Sequence, residues 1–215
     1  MYIGRIVCVS MTADRRLCAS YRVSSRSFPN RTAVLGEGKV SIIPKEGHEA
    51  DIQKNPYIAY NCVRIVRGGE VAVVTNGSQT DPIAEKIESG MSPRDSLALN
   101  SLALDYEKDD YNTPRISAIV DRRDCSGWLS VVREDGIEVR RMPLEPGYYC
   151  YIATYEENKI STDLAGEYDA ESADSACEFI LGKSLFAYRS NPVAAVAAMA
   201  NDSGFELAVK DAQAD

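Results

Sequence analysis

The chain has 215 residues, 45% of them hydrophobic and 26% charged, with a formal net charge of −8. That length and apolar content can bury a sizeable core, and the charged fraction is that of a folded chain rather than a disordered one. The acidic balance argues against bulk nucleic-acid binding, which needs a basic surface to neutralise phosphates, but it leaves room for a small anionic ligand held by a local cluster of cations.

Strand signals fill the first third. The β-rich runs IGRIVCVS (3–10) and LCASYRVSS (17–25) flank the polar TADRR, and KVSIIP (39–44) is a third run. YNCVRIVRGGEVAVVTNG (60–77) reads as a hairpin turning at Gly68-Gly69 and closed by Asn76-Gly77. Helices follow. DPIAEKIESG (81–90) has an aspartate cap, Pro82 at the first helical position and a terminal glycine. SPRDSLALNSLALDYE (92–107) has Ser92 as cap, Pro93 at its first position and Asp95 placed for a capping box. Leu97, Ala98, Leu102 and Leu104 give it an apolar stripe at helical spacing. Strands return in RISAIVD, GWLSVVRED, GIEVRRMPL and GYYCYIATYEE, with Asp135-Gly136 as a hairpin turn. ESADSACEFILGK and NPVAAVAAMAND read as a helical pair, and FELAVKD as a closing strand before a polar tail. Blocks of strands each followed by helices indicate α+β architecture, two packed sheets with helices outside, rather than a doubly wound parallel sheet. No linker, low-complexity tract or heptad divides the chain, so residues 1–215 read as a single domain.

Several chemistries lack their residues. There is no phosphate-binding GxxxxGK[ST] loop, no GxGxxG and no GxSxG, and the single histidine, His48, makes a Ser-His-Asp triad or a zinc site improbable. The six cysteines show no C-x-x-C spacing and read as free thiols of a reducing cytoplasm. The N-terminus reads as a short strand rather than a signal peptide, and no apolar stretch approaches the ~18 residues of a membrane span.

Three segments carry chemistry. YRVSSRSFPNR (21–31) packs three arginines and three serines into eleven residues. As a strand it would point Arg22, Ser24 and Arg26 one way, with Arg22 and Arg26 roughly 13 Å apart at about 3.3 Å per residue. A turn centred on Pro29-Asn30 would bring Arg31 back beside the strand end, making a rim of guanidinium forks and hydroxyls suited to a phosphomonoester. The same arginines could instead pair with surface carboxylates. TNGSQTDPI (75–83) ends a strand at a helix N-terminus, a place for a polar ligand or an ordinary capped turn. LDYEKDDYNTPRI (104–116) places Glu107 directly after the apolar stripe. A half-buried glutamate beside an arginine or tyrosine would serve as a proton carrier, and a solvated charged turn is the alternative.

Taken in order, MYIGR, YRVSSRSFPNR, NPYIAYN, TNGSQTDPI and ALDYEKDDYNTPRI resemble the archaeal-type IMP cyclohydrolase family over at least the first 120 residues. The resemblance implies closure of 5-formamidoimidazole-4-carboxamide ribonucleotide to IMP with loss of water, the last step of purine synthesis. It also implies the αββα sandwich of the N-terminal-nucleophile hydrolases without their nucleophile, since residue 2 is tyrosine. By resemblance Arg31 is assigned to the formyl oxygen or carboxamide, and Tyr60 and Glu107 to proton transfer. Arg22, Ser24, Arg26, Ser27 and Asn30 are expected to bind substrate, with Asn76 and Asp81 at the ribose or base. Such a reaction asks for no metal or cofactor. The expected partner is a small nucleotide, not nucleic acid or membrane, and a homo-oligomer is compatible with the sequence without being fixed by it. The competing readings are a non-catalytic purine-nucleotide-binding relative and an amide hydrolase on the same scaffold, with Cys62 or Cys150 as a substitute nucleophile.

Overall fold

The computed structural model describes residues 1–212, so residues 213–215 of the polar tail lie outside the described residues. In chain order its strands are β1 (Ile6–Met11), β2 (Leu17–Ser24), β3 (Arg31–Gly36), β4 (Lys39–Pro44), β5 (Tyr60–Val66), β6 (Val71–Thr75), β7 (Arg115–Asp121), β8 (Ser126–Arg133), β9 (Gly136–Met142), β10 (Tyr148–Ala153), β11 (Ala165–Glu167), β12 (Pro192–Asn201) and β13 (Gly204–Asp211). The helices are α1 (Asp51–Lys54), α2 (Thr80–Glu88), α3 (Pro93–Leu104) and α4 (Ala173–Gly182).

The strands form two antiparallel sheets, ordered β11-β10-β1-β2-β12-β13 and β3-β4-β5-β6-β7-β8-β9. The alternation of each strand decides which layer its side chains enter. Along β2, Leu17, Ala19, Tyr21 and Val23 face the core between the sheets, where they meet Val40, Ile42, Cys62, Val74 and Ala118. The opposite face of the first sheet, with Cys8, Cys18, Tyr149 and Tyr151, packs on Ala176, Cys177, Phe179 and Ile180 of α4. The outer face of the second sheet, with Val71, Val73 and Ile119, is covered by Ile83, Ala84 and Ile87 of α2 and Leu97 of α3. The result is the four-layer α+β sandwich expected from the element order.

Three elements depart from the sequence reading. The run NPVAAVAAMAND is not a helix but β12, paired on both edges. Val193 through Ala200 are all buried: Val196, Ala198 and Ala200 face the second sheet, while Ala195, Ala197 and Met199 face α4. Helix propensity favours alanine by only tenths of a kcal/mol per residue, and two hydrogen-bonded ladders with both faces covered outweigh it. Residues 31–36, read as a return from a turn, form β3, so the chain after β2 crosses to the other sheet instead of folding back beside its own strand. Helix α3 is rotated from the expected orientation. It buries Ser96, Leu97, Asn100 and Ser101 and leaves Ala98, Leu102 and Leu104 exposed. Its N-terminus is as read: the Ser92 hydroxyl accepts from the Asp95 amide at 3.1 Å.

Candidate active site

One end of the sandwich opens into a cleft of about 350 Å³. The chain ends of several strands meet there: the approach to β1, the loop between β2 and β3, the segment before β5, the loop before β7 and the exit of β10.

Arg5 occupies the middle of this cluster. Gly4 brings it there, with φ at +78° and so little space that an added Cβ would stand 2.0 Å from the Thr154 hydroxyl oxygen. Only glycine adopts that backbone freely and permits that approach. The Arg5 amide then donates to Thr154 Oγ1 at 3.0 Å. Its guanidinium forks onto Glu107, Nη2 to Oε2 at 2.7 Å and Nη1 to Oε1 at 3.3 Å, and Nη1 also donates to the Asn76 carbonyl at 3.1 Å. Burial is the largest single influence and works against the Arg5 charge, but the facing Glu107 carboxylate together with the Tyr60 and Tyr21 hydroxyls outweighs it, so the guanidinium pKa lies well above its ordinary value.

Glu107 is 1% exposed and lines the cleft. A second guanidinium, that of Arg115, stands 3.7 Å from its Oε1. The loop carrying it is closed on itself. The Glu107 amide donates to the Thr113 carbonyl at 2.8 Å, and Asp109 accepts from both the amide and the hydroxyl of Thr113. Thr113 Oγ1 in turn lies 2.7 Å from the Tyr155 hydroxyl. Gly77 leaves room for the cluster, since a Cβ there would lie 2.7 Å from Gln79 Oε1, 2.9 Å from Arg115 Nη1 and 3.1 Å from Glu107 Oε1. A carboxylate held by two cations, with one side open to a cleft, is arranged to accept a proton from a bound ligand.

The serine-arginine loop forms the facing wall. Ser24, Arg26, Ser27 and Arg31 all line the cleft. Arg31 is buried and anchored through Nε to the Phe28 carbonyl at 3.0 Å. Arg26 lies over the Tyr2 ring, 4.3 Å from its centroid, a cation–π contact that leaves its remaining donors to solvent or ligand. Tyr57 presents another ring, 5.5 Å from the Arg115 guanidinium.

The other expected residues do not line this cleft. Arg22 points to the face of its sheet that α4 covers and fills the C-terminal end of α4, where it donates to the carbonyls of Ile180, Leu181, Phe186, Arg189 and Ser190. Ile180 and Leu181 lie in the last turn of α4, where carbonyls lack intrahelical partners, and the other three follow it, so a cluster of carbonyls draws the strand arginine. Tyr60 lies in the core between the sheets, its hydroxyl 2.6 Å from that of Tyr21. Burial first, and Tyr60 second, push the Tyr21 hydroxyl well above the usual phenol range. Asn30 is exposed, with only its carbonyl engaged, by Lys45. Asn76 is buried, and its side chain joins Pro114, Ile116 and Gln79, so it reaches the site only through the carbonyl that holds Arg5. Asp81 is engaged by Asn61 and by Arg64, the latter at 2.6 Å.

The sequence reading assigned no role to Arg5, Arg115, Tyr2, Tyr57, Thr113 or Tyr155. A lone arginine between a glycine and an apolar strand was the available signal for Arg5. Nothing local marks Arg115 or Tyr155 as neighbours of Glu107, because the chain crosses between sheets to bring them together.

Among the described residues no three of His, Cys, Asp and Glu gather into a group that could hold a metal ion. Five cysteines are buried, Cys125 is exposed, and none lines the cleft. Among the described residues no helix is long and apolar enough to cross a membrane.

Comparison with known proteins matches residues 2–204 to the family model described as IMP cyclohydrolase-like protein. The IMP cyclohydrolase of Methanosphaera stadtmanae is 47% identical over 202 residues, 94% of this chain and 96% of that protein. Those of Methanocella arvoryzae and Methanocaldococcus jannaschii are 46% and 41% identical, each over at least 97% of both chains. The chain belongs to the IMP cyclohydrolase-like family.

Proposed function

We propose that the protein is an IMP cyclohydrolase, a single-domain enzyme of the cytoplasm that closes 5-formamidoimidazole-4-carboxamide ribonucleotide to IMP with loss of water. The observation that carries this reading is the buried Glu107, forked onto Arg5 and open to a cleft whose facing wall holds Arg31 and the serine-arginine loop. The family membership supports it.

Both reacting groups belong to one substrate, so the enzyme's main task is to hold a near-attack conformer. Ser24, Arg26 and Ser27 supply hydroxyls and a guanidinium for the phosphate. The carboxamide nitrogen attacks the formyl carbon, and the carbonyl electron pair moves onto the formyl oxygen. Arg31 stabilises that developing oxyanion. Glu107 takes the proton that the nitrogen sheds as the new C–N bond forms. The formyl oxygen takes up two protons in all and leaves as water while the nitrogen of the former formamido group loses its proton, so that the new C=N bond completes the ring. The donor role expected for Tyr60 stays a proposal that needs an intervening group, because its hydroxyl pairs with that of Tyr21 in the core and neither residue lines the cleft. Arg5 and Arg115 are positioning residues that hold the Glu107 carboxylate in place.

The test is to incubate the purified protein with the formylated ribonucleotide and follow IMP by absorbance and chromatography. Catalysed appearance of IMP is expected. Tight nucleotide binding without closure would favour a non-catalytic relative instead.

A further inference from the structure

Asp109, Thr113 and Tyr155 form a chain of three side chains that all line the cleft, and its proton positions follow from valence. Asp109 Oδ1 accepts from the amides of Tyr111 and Thr113 at 3.2 and 2.9 Å, and its Oδ2 accepts from the Thr113 hydroxyl at 2.8 Å. A carboxylate only accepts, and a threonine hydroxyl has one proton to give. Thr113 Oγ1 therefore keeps only lone pairs for the Tyr155 hydroxyl 2.7 Å away, and Tyr155 donates to it. The phenol proton points along the chain toward Asp109, so to a ligand in the cleft Tyr155 offers lone pairs alone. The ring that carries this oxygen is fixed. It packs on Gly4, where an added Cβ would stand 2.7 Å from Tyr155 Cδ2, and the Tyr155 amide donates to the Ile3 carbonyl at 3.0 Å. Burial first raises the Tyr155 hydroxyl above its ordinary range, so it holds its proton.

This polarity has a use in ring closure, and the inference rests on the cyclohydrolase reading. Two nitrogens each shed one proton, and Glu107 serves only that of the carboxamide. An amide N–H only donates, whereas a ribose hydroxyl can turn to meet either polarity, so an oxygen fixed as an acceptor suits an N–H. The chain also springs from the loop that carries the base, since the Glu107 amide donates to the Thr113 carbonyl at 2.8 Å. We propose that Tyr155 accepts the proton of the formamido nitrogen and that Thr113 and Asp109 carry it away. The electron pair of the broken N–H bond forms the C=N bond as the C–O bond breaks and water departs. The proton goes to Tyr155 Oη, the phenol's own proton to Thr113 Oγ1, and the threonine's to Asp109 Oδ2. Two protons thus leave nitrogen, one to Glu107 and one to Asp109. The departing oxygen takes up two, one returned by Glu107 and one drawn ultimately from water, to which the half-buried Asp109 gives its own.

The test reverses the chain while every hydrogen-bonding member stays in place. In Asp109→Asn the two backbone amides hold the side-chain oxygen on their side, which turns the new NH2 toward Thr113. Thr113 then accepts from it and donates to Tyr155, and the phenol proton is freed to point into the cleft. In IMP the former formamido nitrogen has become an acceptor, so a donating Tyr155 should bind the product more tightly, by about 2–10-fold. Closure kinetics and calorimetric titration with IMP are run on wild type, Asp109→Asn, Tyr155→Phe and the double variant, with thermal melts to confirm folding. Each single variant should lower kcat at least tenfold and the double variant no further, because the three side chains act as one unit. Thr113→Val, which cuts the chain but keeps the backbone bond to Asp109, should match Tyr155→Phe. The proposal is overturned by a kcat within a few-fold of wild type in Tyr155→Phe or Thr113→Val, by losses that multiply in the double variant, or by weaker IMP binding in a folded Asp109→Asn. A wild type that closes no ring would overturn the reading of function itself, which the variants alone cannot do.

Discussion

Glu107→Gln separates what the carboxylate does for the reaction from what it does for the fold. The replacement keeps the shape of the side chain and one acceptor oxygen but removes the charge. Arg5, with its side chain 11% exposed, then loses its only close counter-charge among the described residues, and Arg115, 3.7 Å from the same carboxylate, loses a nearby anion. Breaking a buried pair by removing one partner costs about 3–5 kcal/mol. Glutamine still accepts one bond from Arg5, so the lower end of that range applies. For chains of this size each kcal/mol lowers the melting temperature by about 2–4 °C, which sets an expected drop of about 6–12 °C. Removing a general base lowers turnover by about 10²–10⁴-fold. Affinity for IMP should change far less, because the phosphate contacts lie on the opposite wall. Steady-state kinetics, calorimetric titration with IMP and a thermal melt read the three quantities separately. Turnover within a few-fold of wild type would refute the base assignment. Collapse of IMP binding with turnover of bound substrate preserved would make Glu107 a binding residue.

Other outcomes follow from the same geometry. Arg5→Lys keeps a cation but cannot fork onto both carboxylate oxygens, so kcat should fall by at least tenfold with KM little changed; an unchanged kcat would remove Arg5 from the positioning role. A thiol-alkylating reagent should label Cys125 rapidly and leave activity intact, because the other cysteines are buried and none opens on the cleft; loss of activity on labelling Cys62 or Cys150 would revive a thiol mechanism. Alkaline pH should destabilise the fold. Burial pushes the Cys18 thiol up to about 11 from an ordinary 9.0 and holds the Tyr21 hydroxyl well above its ordinary 10.0. These groups stay protonated in the folded state after the unfolded chain has lost its protons, so stability is level below about pH 8 and falls as pH rises through the range of free thiols and phenols. A melting temperature unchanged up to about pH 11 would contradict this.

How far the sequence reached depended on whether a residue's setting was local. Period-two runs bounded by turns placed most strands, and Ser92-Pro93 placed the start of α3, because those signals are written in neighbouring residues. β12 was misread because its cover comes from α4 on one face and a second sheet on the other, leaving no polar periodicity to mark it as a strand. α3 was found but its orientation was not, since its apolar stripe points away from the chain's own core. In the site, the loop after β2 and Glu107 stood out by local density of charge, and the cleft contains both. Arg22 belongs to the same string and the same strand face, with its Nε donating to Ser24 Oγ at 3.0 Å, but it lies deeper in β2 where α4 and the segment after it cover that face, while Ser24 and Arg26 at the strand's end reach the cleft. Arg5 and Arg115 could not be joined to Glu107 without the crossing between sheets, which no local pattern encodes.

The cleft's role is tested most directly by the structure of the protein with IMP bound. The account places the phosphate against Ser24, Arg26 and Ser27, and the closed edge of the base within hydrogen-bonding reach of both Arg31 and Glu107, with the Arg5–Glu107 fork intact. IMP bound outside this cleft, or bound within it with the base turned away from Glu107 and Arg31, would contradict the account.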